Sequence, residues 1–353
     1  SSILSSDPYL SLESSLFYFR HGLFALAVVY ILRNNKNTKK YFFYSLLITI
    51  FILIIDSFYQ YISGVNITND AIINNRLSSL FGDELILGAF LSKIIPLFIA
   101  LSFIFYKKSN STRIFAIAFF LLCSILIFLS GERSAFINLL LFYFIIFFLI
   151  EGRKLKLLFI SIGIIVSIIL ILFSNQNLKN RMIDYTIWQT KSSFTFSLHH
   201  DLIYETAFNM FLDNPIMGVG PKLFRKLCSD PLYFKDSQNY LERFDDPNLT
   251  GCSTHPHHIY LQLLAETGIV GAVPLFFVLM LISYIFLKRF YYNIRGIPWM
   301  NDYQLIILCG IYVNISPFTP SLNFFHNWSS IITFLYLGFM YNTLVNNNKK
   351  NNG

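Results

Sequence analysis

His255-Pro-His257-His258-Ile-Tyr-Leu-Gln-Leu-Leu-Ala-Glu266-Thr-Gly268-Ile-Val-Gly271 runs directly into an apolar stretch that ends at Leu287, just before Lys288-Arg289. The run 258–287 is longer than the ~20 residues that cross about 30 Å of hydrocarbon, so it reads as a membrane-spanning helix. Its first residues place ionisable side chains where a polar loop meets that helix. A transferred hydroxyl proton needs an acceptor with a pKa near ambient pH. A histidine at the membrane surface supplies one without burying a fixed charge in lipid.

The rest of the chain agrees with a lipid environment. Its 353 residues are 55% hydrophobic and only 13% charged, with mean hydropathy +0.55. Apolar runs of about 17 to 22 residues recur along it. The expected fold is an all-α, polytopic transmembrane helix bundle with about nine spans, at 14–32, 41–62, 84–106, 113–130, 134–150, 155–173, 258–287, 303–316 and 329–345. The eighth is short and ends at Ser316-Pro317, which suits a tilted, broken or re-entrant helix. Three regions follow: N-terminal transmembrane helices over 1–173, a loop element over 174–256, and C-terminal transmembrane helices with a tail over 257–353.

Lys and Arg placement orients the bundle. Arg33 to Lys40, Lys107-Lys108 with Arg113, Arg153-Lys154 with Lys156, Lys288-Arg289 with Arg295, and Lys349-Lys350 together hold 15 of the 27 basic residues. The intervening short loops hold only Arg76 and Arg133. The basic side is cytoplasmic by the positive-inside rule, which puts 174–256 outside. The net charge of +8 is mostly this bias, split among short loops, and it excludes a nucleic-acid patch. Cys228 and Cys252 lie in the outer segment and are expected to form a disulfide, whereas Cys123 and Cys309 fall inside spans. Ser1 to Pro8 reads as a connecting loop and not as a signal peptide, and with no Met at the start an N-terminally truncated chain is expected.

The outer segment is too long for a mere connection. Asp201 to Leu212 carries helical patterning, closed by Asp213-Asn-Pro215, so the loop is expected to be mainly helical. Gly218-Val-Gly220-Pro221 marks a tight turn, weak as a phosphate-binding signal. Lys222, Lys226 and Asp245-Asp246-Pro247 read as solvated loop charges, and the Asn/Lys tail over 346–353 as disordered.

Several side chains are candidates for chemistry. Arg133, in Ser130-Gly-Glu132-Arg133, breaks the charge bias at an outer turn, and adjacent side chains on a helix diverge, so Glu132 is a poor partner for it. Arg76 either pairs with Asp83 or Glu84 or presents its fork to a phosphate or sugar acid. Arg225 and His200 are further candidates in the outer segment, and Glu266 reads as a helix-surface or bundle-interior acid. His255, His257 and His258 lack an acidic or thiol ligand at suitable spacing once Cys252 is assigned to the disulfide, so no metal is expected. No nucleotide-binding signature and no cofactor motif appears, and a glycosyl donor used outside must be lipid-linked.

The spacing of His257, a polar residue, nine others, Gly268, two others and Gly271 resembles the signature of the bacterial O-antigen ligase superfamily, which includes the O-antigen polymerases. Ser-Gly-Glu-Arg133-Ser-Ala is similar to the family's membrane-edge arginine motif, and Asp213-Asn-Pro-Ile-Met-Gly-Val-Gly220 to its loop segment before the histidine helix. The resemblance covers most of 76–345. After the histidine the family usually has Asn, Ser or Gln, where this chain has His258. Family ligases have about twelve spans with the large loop between the ninth and tenth; three further N-terminal spans would reconcile the counts.

The resemblance implies a metal-independent, inverting glycosyl transfer at the periplasmic face of the bacterial inner membrane. The glycan would pass from undecaprenyl diphosphate to lipid A-core, with membrane lipids as the other partners. His257 would be the general base and Arg133 would hold the diphosphate, with Arg76, Arg225, His200, His258 and Gly268 contacting diphosphate or sugar. An O-antigen polymerase, or a transporter of polyprenyl-linked or anionic substrates, stays open as an alternative; Asp56 and Lys93 are the few charged groups in the early spans.

Overall fold

The computed structural model describes residues 1–105, 110–152, 161, 163, 170, 176–235, 249–297 and 299–351. The expected span at 155–173 apart from 161, 163 and 170, together with Lys107-Lys108, Arg153-Lys154, Lys156 and Asp245-Asp246-Pro247, lies outside these residues. Among the described residues the protein is mostly helical and has no strand, only two isolated bridges, Val65 with Ala71 and Ile73 with Arg76. The helices used below are α1 (Pro8–Ser15), α2 (Phe19–Asn34), α3 (Thr38–Ser63), α4 (Leu87–Phe105), α5 (Asn110–Leu129), α6 (Arg133–Leu149), α7 (Tyr185–Ser192), α8 (Leu198–Asp213), α9 (Ile259–Ile294), α10 (Asp302–Asn314) and α11 (Asn327–Asn351).

This is a membrane protein. Four described stretches are long and apolar enough to cross a bilayer: Pro8–Asn34, Thr38–Ser63, Leu87–Ile104 and Ile259–Ile294. The sequence leads to nine. The other five fall on the shorter helices Ala118–Leu129 and Arg133–Leu149, on α10, whose 13 residues rise only about 20 Å, on α11, and on 155–173, most of which lies outside the described residues. The tail expected to be disordered continues α11 as helix to Asn351.

The chain divides into two compact units. One comprises residues 25–185, 284–314 and 335–353. Its centre is α4, packed by α3, α5, α6 and α10, and the window Leu87–Ile104 is 78% buried. Pro96 interrupts the hydrogen-bond ladder of α4, because proline has no N–H and its ring displaces the preceding turn. The Tyr336 hydroxyl fills the gap, accepting the Leu97 amide at 2.7 Å and donating to the Lys93 carbonyl at 2.8 Å. Gly310 makes room for that ring, since a Cβ there would stand 2.1 Å from Tyr336 Cε1. Lys93 itself is buried, with Nζ 3.4 Å from Asn314 Oδ1. Arg289, read from sequence as a topogenic charge, is fully buried and bonded to Asp302 (3.1 Å), Glu151 (2.7 Å) and the Leu149 carbonyl. Burying that charge is tolerable because every face of the guanidinium meets an acceptor.

The other unit comprises residues 1–24, 186–283 and 315–334. Its core joins the inner face of α8 (Ile203, Ala207, Met210) to Val219, Leu223, Phe224, Cys228, Tyr233 and Ala265. α8 starts where Ser197 caps the His200 amide, in keeping with the patterning of 201–212. Cys228 and Cys252 form the expected disulfide, with Cα atoms 4.9 Å apart. Ser1 to Pro8 is not a plain connecting loop: Asp7 caps α1 and Pro8 takes its first position, the N-terminal pairing that favours a helix. Lys222 and Lys226, read as solvated charges, bond Glu13 and Asp7 of this segment.

Gly268 breaks α9, with φ 65° and ψ −165°. The turn Pro215–Gly220 repairs the break from both sides. Val219 and Gly220 donate to the carbonyls of Ala265 and Glu266, each at 2.9 Å. Ile269 donates to the Pro215 carbonyl at 2.9 Å, and Val270 to that of Ile216 at 3.4 Å. Carbonyls and amides freed by the break thus find partners where lipid offers none. The approach is backbone to backbone: a Cβ on Gly218 would lie 2.4 Å from the Thr267 nitrogen, and one on Gly268 would lie 2.2 Å from the Ile216 oxygen.

Candidate functional site

Two groups of sequence-selected side chains form, one in each unit. In the unit built on α4, the loop 64–86 is pinned by α3. Asp56 accepts the Ile67 amide (2.9 Å) and the Ser79 hydroxyl (2.5 Å), while Gln60 accepts the amides of Ser78 and Ser79. This fixes Arg76, which donates to the Leu85 carbonyl and stands 3.6 Å from Glu132. Neither Asp83 nor Glu84 is its ion-pair partner. Glu132 is buried and accepts the Gly88 and Ala89 amides at 2.7 and 3.2 Å, at the start of α4. Burial raises its carboxyl to about 7 against the pull of Arg76 and those amides.

Gly131 adopts φ 71°, and a Cβ on it would meet the Asn75 carbonyl at 2.8 Å, so glycine lets the Arg76 loop approach the turn before α6. Arg133 opens α6 with its guanidinium over the Tyr185 ring, 5.2 Å from the centroid. Arg181 donates from Nε to the Gly131 carbonyl at 2.9 Å. A Cβ on Gly131 would stand 3.1 Å from Arg76 Cγ and 3.4 Å from Arg181 Nε, and burial, then the charges of Arg76 and Arg133, hold the Arg181 pKa down. Sequence reasoning selected Arg76 and Arg133 but missed Arg181. The signal that served for Arg133, a guanidinium in a short loop of the basic-poor set, did not reach Arg181, because the long segment 174–256 carries eight basic residues.

In the other unit the histidines assemble. His257 has φ 54°, a left-handed conformation unusual for a side-chain-bearing residue and a mark of function where the surroundings enforce it. Here they do: the Ser321 amide donates to its carbonyl at 2.7 Å, and the Tyr204 hydroxyl reaches the same oxygen at 3.5 Å. Its Nε2 lies 3.2 Å from Ser253 Oγ, the residue after the disulfide half Cys252. The His255 ring packs against it at 4.1 Å between centroids and the His200 ring at 5.7 Å, edge-on. Burial holds His257 below the ordinary histidine pKa, with the charge of His199 adding to the effect. Burial and then His257 push His255 down to about 3, and Arg225 also acts on it. Near neutral pH both rings are therefore uncharged, the state a base requires.

His200 is brought to His257 as a ring neighbour and is itself bonded to Ser197 Oγ at 2.6 Å. His258 acts locally, since it precedes α9 and its Nδ1 accepts the Leu261 amide at 3.3 Å. That is the N-cap bond for which Asn and Ser are preferred, so the departure from the usual Asn, Ser or Gln keeps the cap. Gly268 serves the helix break. Arg225 is exposed in the same unit as the histidines. Ser253, Ser321 and Tyr204 had no sequence signal, because their bonds to His257 span up to 64 residues or run through an irregular turn. Among the described residues no three His, Cys, Asp or Glu are grouped so as to hold a metal ion.

No curated protein matches the chain. Residues 117–276 match the family model described as O-antigen ligase, a range that contains Arg133, Arg181, the segment 174–256 and the whole histidine motif. That family's members are membrane enzymes of the glycosyltransferase kind. The segment 117–276 is therefore an O-antigen ligase family domain, as the motif spacing around His257 and Gly268 implied.

Proposed function

We propose that the protein is an O-antigen ligase, moving a glycan from undecaprenyl diphosphate to a hydroxyl of lipid A-core at the periplasmic face of the inner membrane. The observation that carries this is His257: a neutral imidazole, held in a left-handed backbone conformation, with one ring nitrogen on Ser253. With Nε2–H donating to the Ser253 hydroxyl, Nδ1 is the bare nitrogen that takes the acceptor's proton. The acceptor oxygen attacks the anomeric carbon as the bond to the diphosphate breaks, inverting the centre. Arg133 and Arg76, with Arg181, in the unit built on α4, are forked donors of the kind that hold a diphosphate. No step in this scheme draws on a cofactor.

A polymerase would use the same donor and residues and differ in acceptor. The deciding experiment is the surface glycolipid profile of a deletion strain complemented with wild type or His257→Ala. Bare lipid A-core with long polymer accumulating on undecaprenyl diphosphate supports the ligase. Core bearing a single repeat unit assigns the protein as a polymerase, and an unchanged profile turns the reading toward transport.

A further inference from the structure

α8 changes character along its length. Its first half is engaged with the histidines, through His200 on the His257 ring and Tyr204 on the His257 carbonyl. The buried face, Leu202, Ile203, Thr206, Ala207 and Met210, continues to the end of the helix and is committed to the unit's core. The opposite face begins polar, at Asp201 and Glu205, and then turns apolar: Phe208 and Leu212 are 44% and 59% exposed. Residues four apart lie about 40° apart on a helix and so share that face. The apolar surface continues past the helix end into Ile216 (63% exposed) and Met217.

Asp213 and Asn214, between Leu212 and Ile216, are exposed as well, and Asp213 accepts the Tyr233 hydroxyl at 2.6 Å. Large apolar side chains left exposed this close together need a partner. The break in α9 indicates which one. Ile216 accepts the Val270 amide and Pro215 accepts the Ile269 amide, so the patch abuts the exposed Ile269, Val270 and Val273. Those residues belong to the membrane-spanning stretch Ile259–Ile294, only 11% of whose apolar window is buried inside the protein. One apolar surface therefore runs from the span onto the end of α8. An isolated soluble loop would gain nothing from exposing it, while lipid would cover both parts alike.

We infer that the C-terminal half of α8 and the turn after it are embedded in the bilayer, with Phe208, Leu212, Ile216 and Met217 in contact with lipid hydrocarbon. α8 then acts as an interfacial anchor. Its polar half, and the His257 backbone it touches, stand at headgroup level, where a lipid-linked diphosphate would also lie. This inference does not depend on which reaction His257 performs.

The test is spin labelling of the full chain in nanodiscs of phosphatidylethanolamine and phosphatidylglycerol. Single cysteines at Phe208, Leu212 and Ile216, with Ser229 as an exposed loop control, are placed in a background carrying Cys123→Ser and Cys309→Ser. Labels at 208, 212 and 216 are expected to relax strongly with molecular oxygen and weakly with a water-soluble nickel chelate, with the reverse at 229. Chelate access at 208 and 212 equal to that at 229 would overturn the inference, because it would mean water. Shielding from both reagents would overturn it too, because it would mean cover by protein. The labels sit on exposed positions, so folding is checked independently by gel filtration of each labelled variant.

Discussion

Arg76 and Glu132 stand 3.6 Å apart with the carboxylate buried and the guanidinium partly so. Burial outweighs the cation here, since the Glu132 carboxyl rises from 4.5 to about 7. A group whose pKa is raised on folding binds its proton more tightly in the native state. Its contribution is fully present below pH 4.5 and is lost as pH rises through about 7. The shift corresponds to about 3 kcal/mol at most. Glu132→Gln keeps an acceptor for the Gly88 amide but does not titrate. The wild-type melting temperature in detergent, measured relative to that of the variant, is expected to fall between pH 4.5 and 7 and then level off. A difference independent of pH would mean that Glu132 is ionised throughout.

The acid limb of the activity profile should lie below pH 6.5, because burial and His199 disfavour protonation of His257. His199→Gln removes one of those causes and should move the limb upward. His257→Ala should lower kcat/KM by on the order of 10²–10⁴-fold, the range for a general base. Ser253→Ala should lower kcat more than it raises KM and shift the same limb, with Ser253→Thr restoring both. Initial rates against pH, with purified lipid-linked donor, provide the check. Loss in His257→Ala with a wild-type profile in Ser253→Ala would remove Ser253 from the scheme and leave the base in place.

Much of this site was legible in sequence because it rests on local chemistry. Arg133 stood out against the charge bias, and the spacing from His257 to Gly271 survives as a histidine turn, a capped helix and a break. The helix over 201–212 and the Cys228–Cys252 bridge were likewise local or compositional inferences. What escaped notice depends on long-range pairing. Arg76 bonds Glu132, 56 residues away, in preference to its near neighbours Asp83 and Glu84, because the pinned loop carries it to the turn before α6. Gly268 looked like a ligand contact, but its neighbour is the backbone of Ile216, which hydropathy cannot reveal. The span count differs for a similar reason: α10 is apolar because protein surrounds it, and apolar runs do not distinguish protein from lipid.

Tyr336→Phe should destabilise the protein by about 1–3 kcal/mol, the cost of leaving the Leu97 amide and the Lys93 carbonyl unsatisfied in a dry interior. The ring remains, so packing against Gly310 is unchanged and the effect belongs to the hydroxyl. Thermal melting in detergent measures it, and transfer activity per folded molecule should stay at the wild-type level. Full stability in the variant would show that water takes over the two bonds.

Gly268→Ala tests the break in α9 most directly. With φ 65° and ψ −165° the residue occupies a region essentially restricted to glycine, costing any other residue about 1–3 kcal/mol. A Cβ would also stand 2.2 Å from the Ile216 oxygen. That atom is backbone, already bonded to Val270, so it cannot swing aside as a side chain would. Release of the Pro215–Gly220 turn would then strip partners from Ala265, Glu266, Ile269 and Val270 together. Gly268→Ala should therefore yield little folded protein, and Gly218→Ala should behave alike from the other side of the contact. Gly22→Ala is the control: nothing lies within 4 Å of its Cβ, and alanine in a helix interior is favoured by about 0.5–1 kcal/mol. Yields and melting temperatures of the three variants separate the cases. If Gly268→Ala melted like wild type, the turn would not be holding the break, and the bonds between the two segments would have to be redrawn.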